Sequence, residues 1–122
     1  MDAGTQKRQL GDLSFVKTHD CFTIADLIEY EATGLAQPGE GAMVALEGQT
    51  EKAVLLPVNP SGALKAKVYP SNATGVSMHV LSAIQLTSEA GDFQVRDAGI
   101  AGIFNMGSVT VANCVSILER LT

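Results

Sequence analysis

The chain has no tryptophan, two cysteines, only 17% charged residues and no stretch of one charge. Each shortage excludes something. Cys21 and Cys114 are far apart and nothing resembling C-x-x-C occurs, so neither a zinc ribbon nor a dithiol redox motif is present. The basic residues are scattered apart from Lys7–Arg8 and Lys65/Lys67, and the net charge is −5, so the basic stripe that nucleic-acid binding requires is missing. No apolar run approaches the roughly 20 residues of a membrane helix. The opening MDAGTQKRQLGD is polar, unlike a secretory signal, and residues 1–12 are expected to be loosely ordered. A cytoplasmic protein is therefore expected, in which a disulfide is disfavoured and the Asn72-Ala73-Thr74 glycosylation pattern carries no weight.

What is present is a long apolar fraction, 46% of 122 residues, enough for one α/β domain with strands covered on both faces. Leu13–Thr18 alternates apolar and polar residues and predicts a strand. It runs into His19-Asp20-Cys21-Phe22, after which Thr23 is placed to cap a helix, with Asp26 completing a weak capping box and Gly34 as the stop. The His-Asp-Cys-Phe segment thus falls where a strand hands over to a helix, the crevice in which open α/β sheets bind ligands. Met43–Leu46 and Lys52–Val58 read as short extended pieces around Glu47-Gly48-Gln49. A second helix spans about Thr74–Ser88. It is apolar on nearly every face, which predicts burial between layers and implies further protein on its far side. The chain ends in a hairpin: Gly99–Phe104, a turn at Asn105-Met106-Gly107-Ser108, and Val109–Arg120.

Four segments in order carry a resemblance: His19-Asp20-Cys21-Phe22-Thr23, Asn59-Pro60-Ser61-Gly62-Ala63-Leu64-Lys65-Ala66-Lys67, Asn72-Ala73-Thr74-Gly75 and Phe104-Asn105-Met106-Gly107. Over roughly Gly11 to Leu121 the chain resembles the C-terminal half of thiolases, in particular the sterol-carrier-protein-X type and its acetyl-CoA acetyltransferase relatives. The resemblance implies the C-terminal half of a five-layer αβαβα fold, with a mixed sheet and a buried central helix. It also implies that the chain starts inside that half, incomplete at its N-terminal edge, and that the nucleophilic cysteine belongs to a half not present here.

The implied reaction is Claisen condensation or thiolysis of a 3-oxoacyl coenzyme A thioester, which needs a base beside the thioester carbonyl and donors for oxyanions. His19 takes the place of the asparagine that orients an oxyanion-hole water in ordinary thiolases, and its imidazole N–H can do the same. Cys21 lies just before a helix N-terminus, where the backbone dipole favours a thiolate, and resembles the acid/base cysteine of the sterol-carrier type. Asn105 correspondingly stands where other thiolases carry that cysteine in a Cys-x-Gly motif. The family's Gly-His-Pro is replaced by Val68-Tyr69-Pro70, and a phenol donates a hydrogen bond but is a poor base at neutral pH. Lys65 and Lys67 are placed to meet coenzyme A phosphates, although loop lysines are more often simply solvated. His79 reads as a satisfied core residue, and Cys114 as a buried structural one.

Three functions fit these residues. One is an acyltransferase segment completed by a thiolase N-terminal half or working in a homo-oligomer, with acyl-CoA as substrate, no permanent cofactor and no metal. Another is a tyrosine-dependent thiolase-like aldolase on coenzyme A thioesters, paired with a small acyl-CoA-binding protein. The third is a non-catalytic remnant or interaction module.

Overall fold

The computed structural model describes residues 9–48, 56–62, 73–107 and 111–121. Its centre is a three-stranded mixed sheet: β1 (Phe15–Thr18), β2 (Ile100–Gly107) and β3 (Ala112–Glu119), in that spatial order. β1 runs parallel to β2, with Phe15 opposite Ala101 and Thr18 opposite Phe104. β2 and β3 are antiparallel, with Ile103 opposite Ser116 and Asn105 opposite Cys114. On the other side of β1, Val58 forms a single parallel bridge to Val16. All four residues of β1 are therefore buried, polar ones included. This agrees with the expectation of strands covered on both faces. The Lys17 ammonium donates to Ser61 Oγ at 2.8 Å and to the Gly62 carbonyl at 3.4 Å, which offsets the cost of burying it.

Helix α1 (Thr23–Ala32) follows the His-Asp-Cys-Phe segment. Phe22, not Thr23, occupies its N-cap, without a side-chain cap bond. Asp26 is engaged elsewhere: the Thr18 hydroxyl donates to its Oδ1 at 3.2 Å, pinning α1 beside β1. Gly34, at φ +83°, turns the chain out of the helix, as the sequence indicated, and Leu35 N–H donates back to the Tyr30 carbonyl at 2.9 Å. Met43–Leu46, expected to be extended, belongs to a short helix, α2 (Gly41–Leu46). A four-residue apolar run does not distinguish strand from helix. Contact with α1 decides it, because a Cβ at Gly41 would lie 2.5 Å from the Leu27 carbonyl oxygen. Of the expected piece Lys52–Val58, residues 52–55 lie outside the described residues. Tyr30, Ala36 and Val44 form a small core with Leu27, Leu35 and Val58.

Helix α3 (Thr74–Leu86) packs on the sheet face that carries Phe15 and Ala101. There Phe15, Leu86, Val95, Ala98 and Ala101 form the second core, with Leu118 against it. Gln85 ties the following loop to this core: its Oε1 accepts from Val95 N–H at 2.8 Å and its Nε2 donates to the Phe93 carbonyl at 2.6 Å. The opposite side of α3 is uncovered among the described residues, with Val76 66% and Val80 51% exposed. The hairpin is present, but the expected turn at Asn105-Met106-Gly107 is not where the chain reverses. Asn105, Met106 and Gly107 continue β2 in ladder with β3 instead of turning. The Asn-x-Gly turn signal yields to pairing with Cys114, Asn113 and Ala112. Cys114 itself is exposed, not buried, because nothing among the described residues covers its end of the sheet face.

Candidate functional site

β1 and β2 are parallel, so their carboxyl ends lie together, and two helix N-termini are added there. Four residues separate Thr18, the end of β1, from the start of α1 at Thr23, and the first turn of α3 reaches the same end through Gly75. The sequence places the His-Asp-Cys-Phe segment at this strand end.

His19 sits one residue past β1 and is almost fully buried. Its Nδ1 lies 2.8 Å from Asn105 Oδ1 across the sheet end. The bond joins positions 86 residues apart. Gly75 makes room for it, since a Cβ there would lie 2.8 Å from Asn105 Nδ2. Any larger residue at position 75 would push the amide off the imidazole.

This geometry couples the amide to the imidazole's protonation. A carbonyl oxygen only accepts, so with Oδ1 as partner the neutral ring carries its proton on Nδ1 and presents a lone pair at Nε2. Turning the Asn105 amide over brings Nδ2 to the ring, and the neutral imidazole then carries Nε2–H. The first state is a base and the second an oxyanion donor.

A second polar layer lies beneath. Asn59, at φ +49°, accepts from Thr18 N–H on Oδ1 at 3.0 Å and donates from Nδ2 to Thr18 Oγ1 at 2.9 Å. Its own N–H donates to the Val16 carbonyl, and Pro57 accepts from Val16 N–H, so the Asn59–Gly62 turn is bonded along the length of β1. The Lys17 ammonium adds the bonds to Ser61 and Gly62. The sequence marked Asn59–Gly62 as a motif but gave no reason to assign Lys17 to it.

Glu29, on α1, is the other residue that the sequence reading missed. It is buried with neither carboxylate oxygen in a formed hydrogen bond. Burial raises its pKa from 4.5 to about 7 and the Asp26 carboxylate pushes the same way, opposed by the Thr18 hydroxyl and the His19 amide, with the smallest push, also upward, from Asp20. A glutamate among Leu, Ile and Tyr at helical spacing reads as solvated, so only the packed structure exposes it.

Of the residues singled out from the sequence, the structure brings together His19 and Asn105. Cys21 is half-buried, two residues past His19 and just before the N-cap of α1. Lys65, Lys67 and Tyr69 lie outside the described residues. No group of three or more His, Cys, Asp or Glu suited to a metal occurs among the described residues. None of their helices is long and apolar enough to cross a membrane.

Residues 3–120 match the family model described as thiolase C-terminal domain-like. The chain belongs to this thiolase C-terminal domain family. An acetyl-CoA acetyltransferase of Methanothermobacter thermautotrophicus is 38% identical over 110 residues, 90% of this chain and 29% of that protein. Human sterol carrier protein 2 is 38% identical over 96 residues, 79% of this chain and 18% of that protein. Benzoylsuccinyl-CoA thiolase subunit BbsB of Thauera aromatica is 32% identical over 85 residues, 70% of this chain and 22% of that protein. The thiolase-type domain here thus spans under a third of each of these relatives. Its mixed α/β architecture agrees with the C-terminal half of a thiolase.

Proposed function

We propose that this thiolase C-terminal domain supplies the oxyanion-binding and acid/base groups of an acyltransferase acting on coenzyme A thioesters, with the nucleophile provided by a thiolase N-terminal half. The observation that carries the reading is the His19–Asn105 bond at the carboxyl ends of β1 and β2. With the Asn105 amide turned so that Nδ2 meets the ring, the buried imidazole carries Nε2–H and suits stabilisation of a thioester oxyanion. Cys21, beside it at the start of α1, is the acid/base group in this reading, protonating and deprotonating the carbon next to the thioester carbonyl. Asn105 orients His19 and does not itself move protons. Lys65 and Lys67 are assigned to the coenzyme A phosphates. The cytoplasm is the proposed location, and a homo-oligomer or the companion half the proposed partner.

Coenzyme A-dependent cleavage of acetoacetyl-CoA by this chain completed with a nucleophile-bearing half tests the assignment. His19→Leu removes the oxyanion donor and is expected to lower kcat by about 10²–10³-fold. His19→Asn restores a neutral donor and is expected to retain most of the rate. Equal rates for His19→Leu and the parent would exclude this site.

Tyr69 supports a second reading, because it stands where the family has the histidine that activates the nucleophile. In the acyltransferase reading Tyr69→His raises thioester cleavage at least ~10-fold, by restoring a general base. In a tyrosine-dependent aldolase the same substitution abolishes carbon–carbon cleavage. Loss of cleavage with Tyr69→His would therefore replace the first reading by the second.

A further inference from the structure

Away from His19, α3 and β3 share a polar contact with the arrangement of a nucleophile and its base. His79 Nδ1 lies 2.6 Å from the Gly75 carbonyl oxygen, and His79 Nε2 lies 3.0 Å from Ser116 Oγ. The carbonyl can only accept, so in the neutral ring the proton is held on Nδ1. Nε2 then presents its lone pair, and the Ser116 hydroxyl donates to it. This is a serine hydrogen-bonded to a histidine that a third group orients, with a main-chain carbonyl in the third role.

The ladder supplies one further element. Arg120 N–H donates to the Gly99 carbonyl at 2.9 Å, which fixes the phase of the β2–β3 pairing. Residues 116 and 103 are then a hydrogen-bonded pair, and the N–H of Ile117 is directed away from β2. Among the described residues no strand pairs with that outer edge of β3. The residue following the serine thus aims a main-chain donor at the open edge of the sheet, where the oxygen of an acyl group held at Ser116 can meet it. Ser116 and His79 are both only partly buried, so a small reagent reaches them.

We propose that Ser116 is an acyl-accepting nucleophile with His79 as its base, taking short activated acyl esters and thioesters. Ser116 Oγ attacks the acyl carbonyl and its proton passes to His79 Nε2. The tetrahedral adduct expels the alkoxide or thiolate, which leaves with that proton, so the products are acyl-Ser116 and the free alcohol or thiol. The inference does not rest on the acyltransferase reading, because neither residue belongs to the His19–Asn105 site and the test below reads acylation without any thiolysis.

The full 122-residue chain is treated with p-nitrophenyl acetate and mapped by tandem mass spectrometry. The expected result is a burst of p-nitrophenolate with the acetyl group on Ser116. Ser116→Ala removes that part of the burst, and His79→Gln slows Ser116 acetylation by about 100-fold or more. Acetyl groups on Cys21, Cys114 or lysines with Ser116 unmodified would overturn the proposal, as would undiminished labelling of Ser116 in His79→Gln. If circular dichroism shows that His79→Gln does not fold, the imidazole ¹⁵N shifts of the parent chain decide. An Nδ1–H tautomer of His79 supports the dyad, and an Nε2–H tautomer overturns it.

Discussion

The strand β1 and the exposed faces of α3 and β3 invert the usual rule of polarity. β1 and the two residues after it bury Lys17, Thr18, His19 and Asp20, whereas Val76, Val80 and Ile117 stand exposed on α3 and β3. Burying polar groups is costly unless their bonds are made, and around β1 Thr18, His19 and Lys17 make theirs with Asn59, Asp26, Asn105 and Ser61. Exposing scattered apolar groups such as Ile117 costs little by itself, but neighbours on one helix face, as Val76 and Val80 are on α3, mark a surface that meets more protein. The difference separates the roles: the β1 side holds chemistry in place, and the α3 side offers contact.

The largest effect is expected where the buried polar network is cut. Lys17→Ala removes both donors from the Asn59–Gly62 turn and leaves a cavity beside Ser61, so we expect a loss of about 3 kcal/mol in urea unfolding. Ile117→Thr, on the exposed side, should stay within about 0.5 kcal/mol of the parent. Similar losses for the two variants would erase the distinction between the regions.

That distinction also explains what the sequence could convey. Strand β1, helices α1 and α3 and the hairpin follow from periodicity and from Gly34, because local pattern and tertiary packing agree there. Met43–Leu46 failed because four apolar residues fit either period, and the approach of Gly41 to Leu27 decided the matter. Asn105–Gly107 failed because a turn-forming tripeptide was held extended by cross-strand partners. In the candidate site, His19 and Asn105 were legible singly, through motif resemblance. Their 2.8 Å bond joins distant segments, as does Lys17 with Ser61 over 44 residues. No local pattern encodes such pairs. Glu29 was illegible for the same reason, its burial being set by several elements at once.

Glu29 gives the next effect in size and sharpens the comparison by pH. Its folded pKa, about 7, is above the unfolded value of 4.5, so the folded state binds the proton more tightly. The stability from this linkage is fully present below about pH 4.5 and is lost as pH rises through about 7. Glu29→Gln keeps the shape without the ionisable proton. Relative to the parent it should gain on the order of 2 kcal/mol between pH 5 and pH 8, measured as the change in urea-unfolding free energy. A parent and variant that keep the same difference at both pH values would show that Glu29 is solvated in the folded state.

The smallest effect on stability is expected on the outer side of α3, where the consequence is association instead. Val76 and Val80 are four residues apart on one helix face, and both project from the side opposite the sheet. Replacing them by serine removes little that is buried, so Val76→Ser/Val80→Ser should lower folding stability by about 0.5 kcal/mol or less after allowing for serine's weaker helix propensity. The parent chain, with this strip open to water, should self-associate in a concentration-dependent way, and the double variant should sediment more nearly as a monomer in analytical ultracentrifugation. The same variant should weaken capture of a thiolase N-terminal half, if that half packs on α3 as the thiolase arrangement implies. A parent chain that is monomeric at every concentration would remove the evidence that the strip is a contact surface. A large loss of stability in the double variant would show that Val76 and Val80 are core residues of this chain, and the comparison between its two sides would fail.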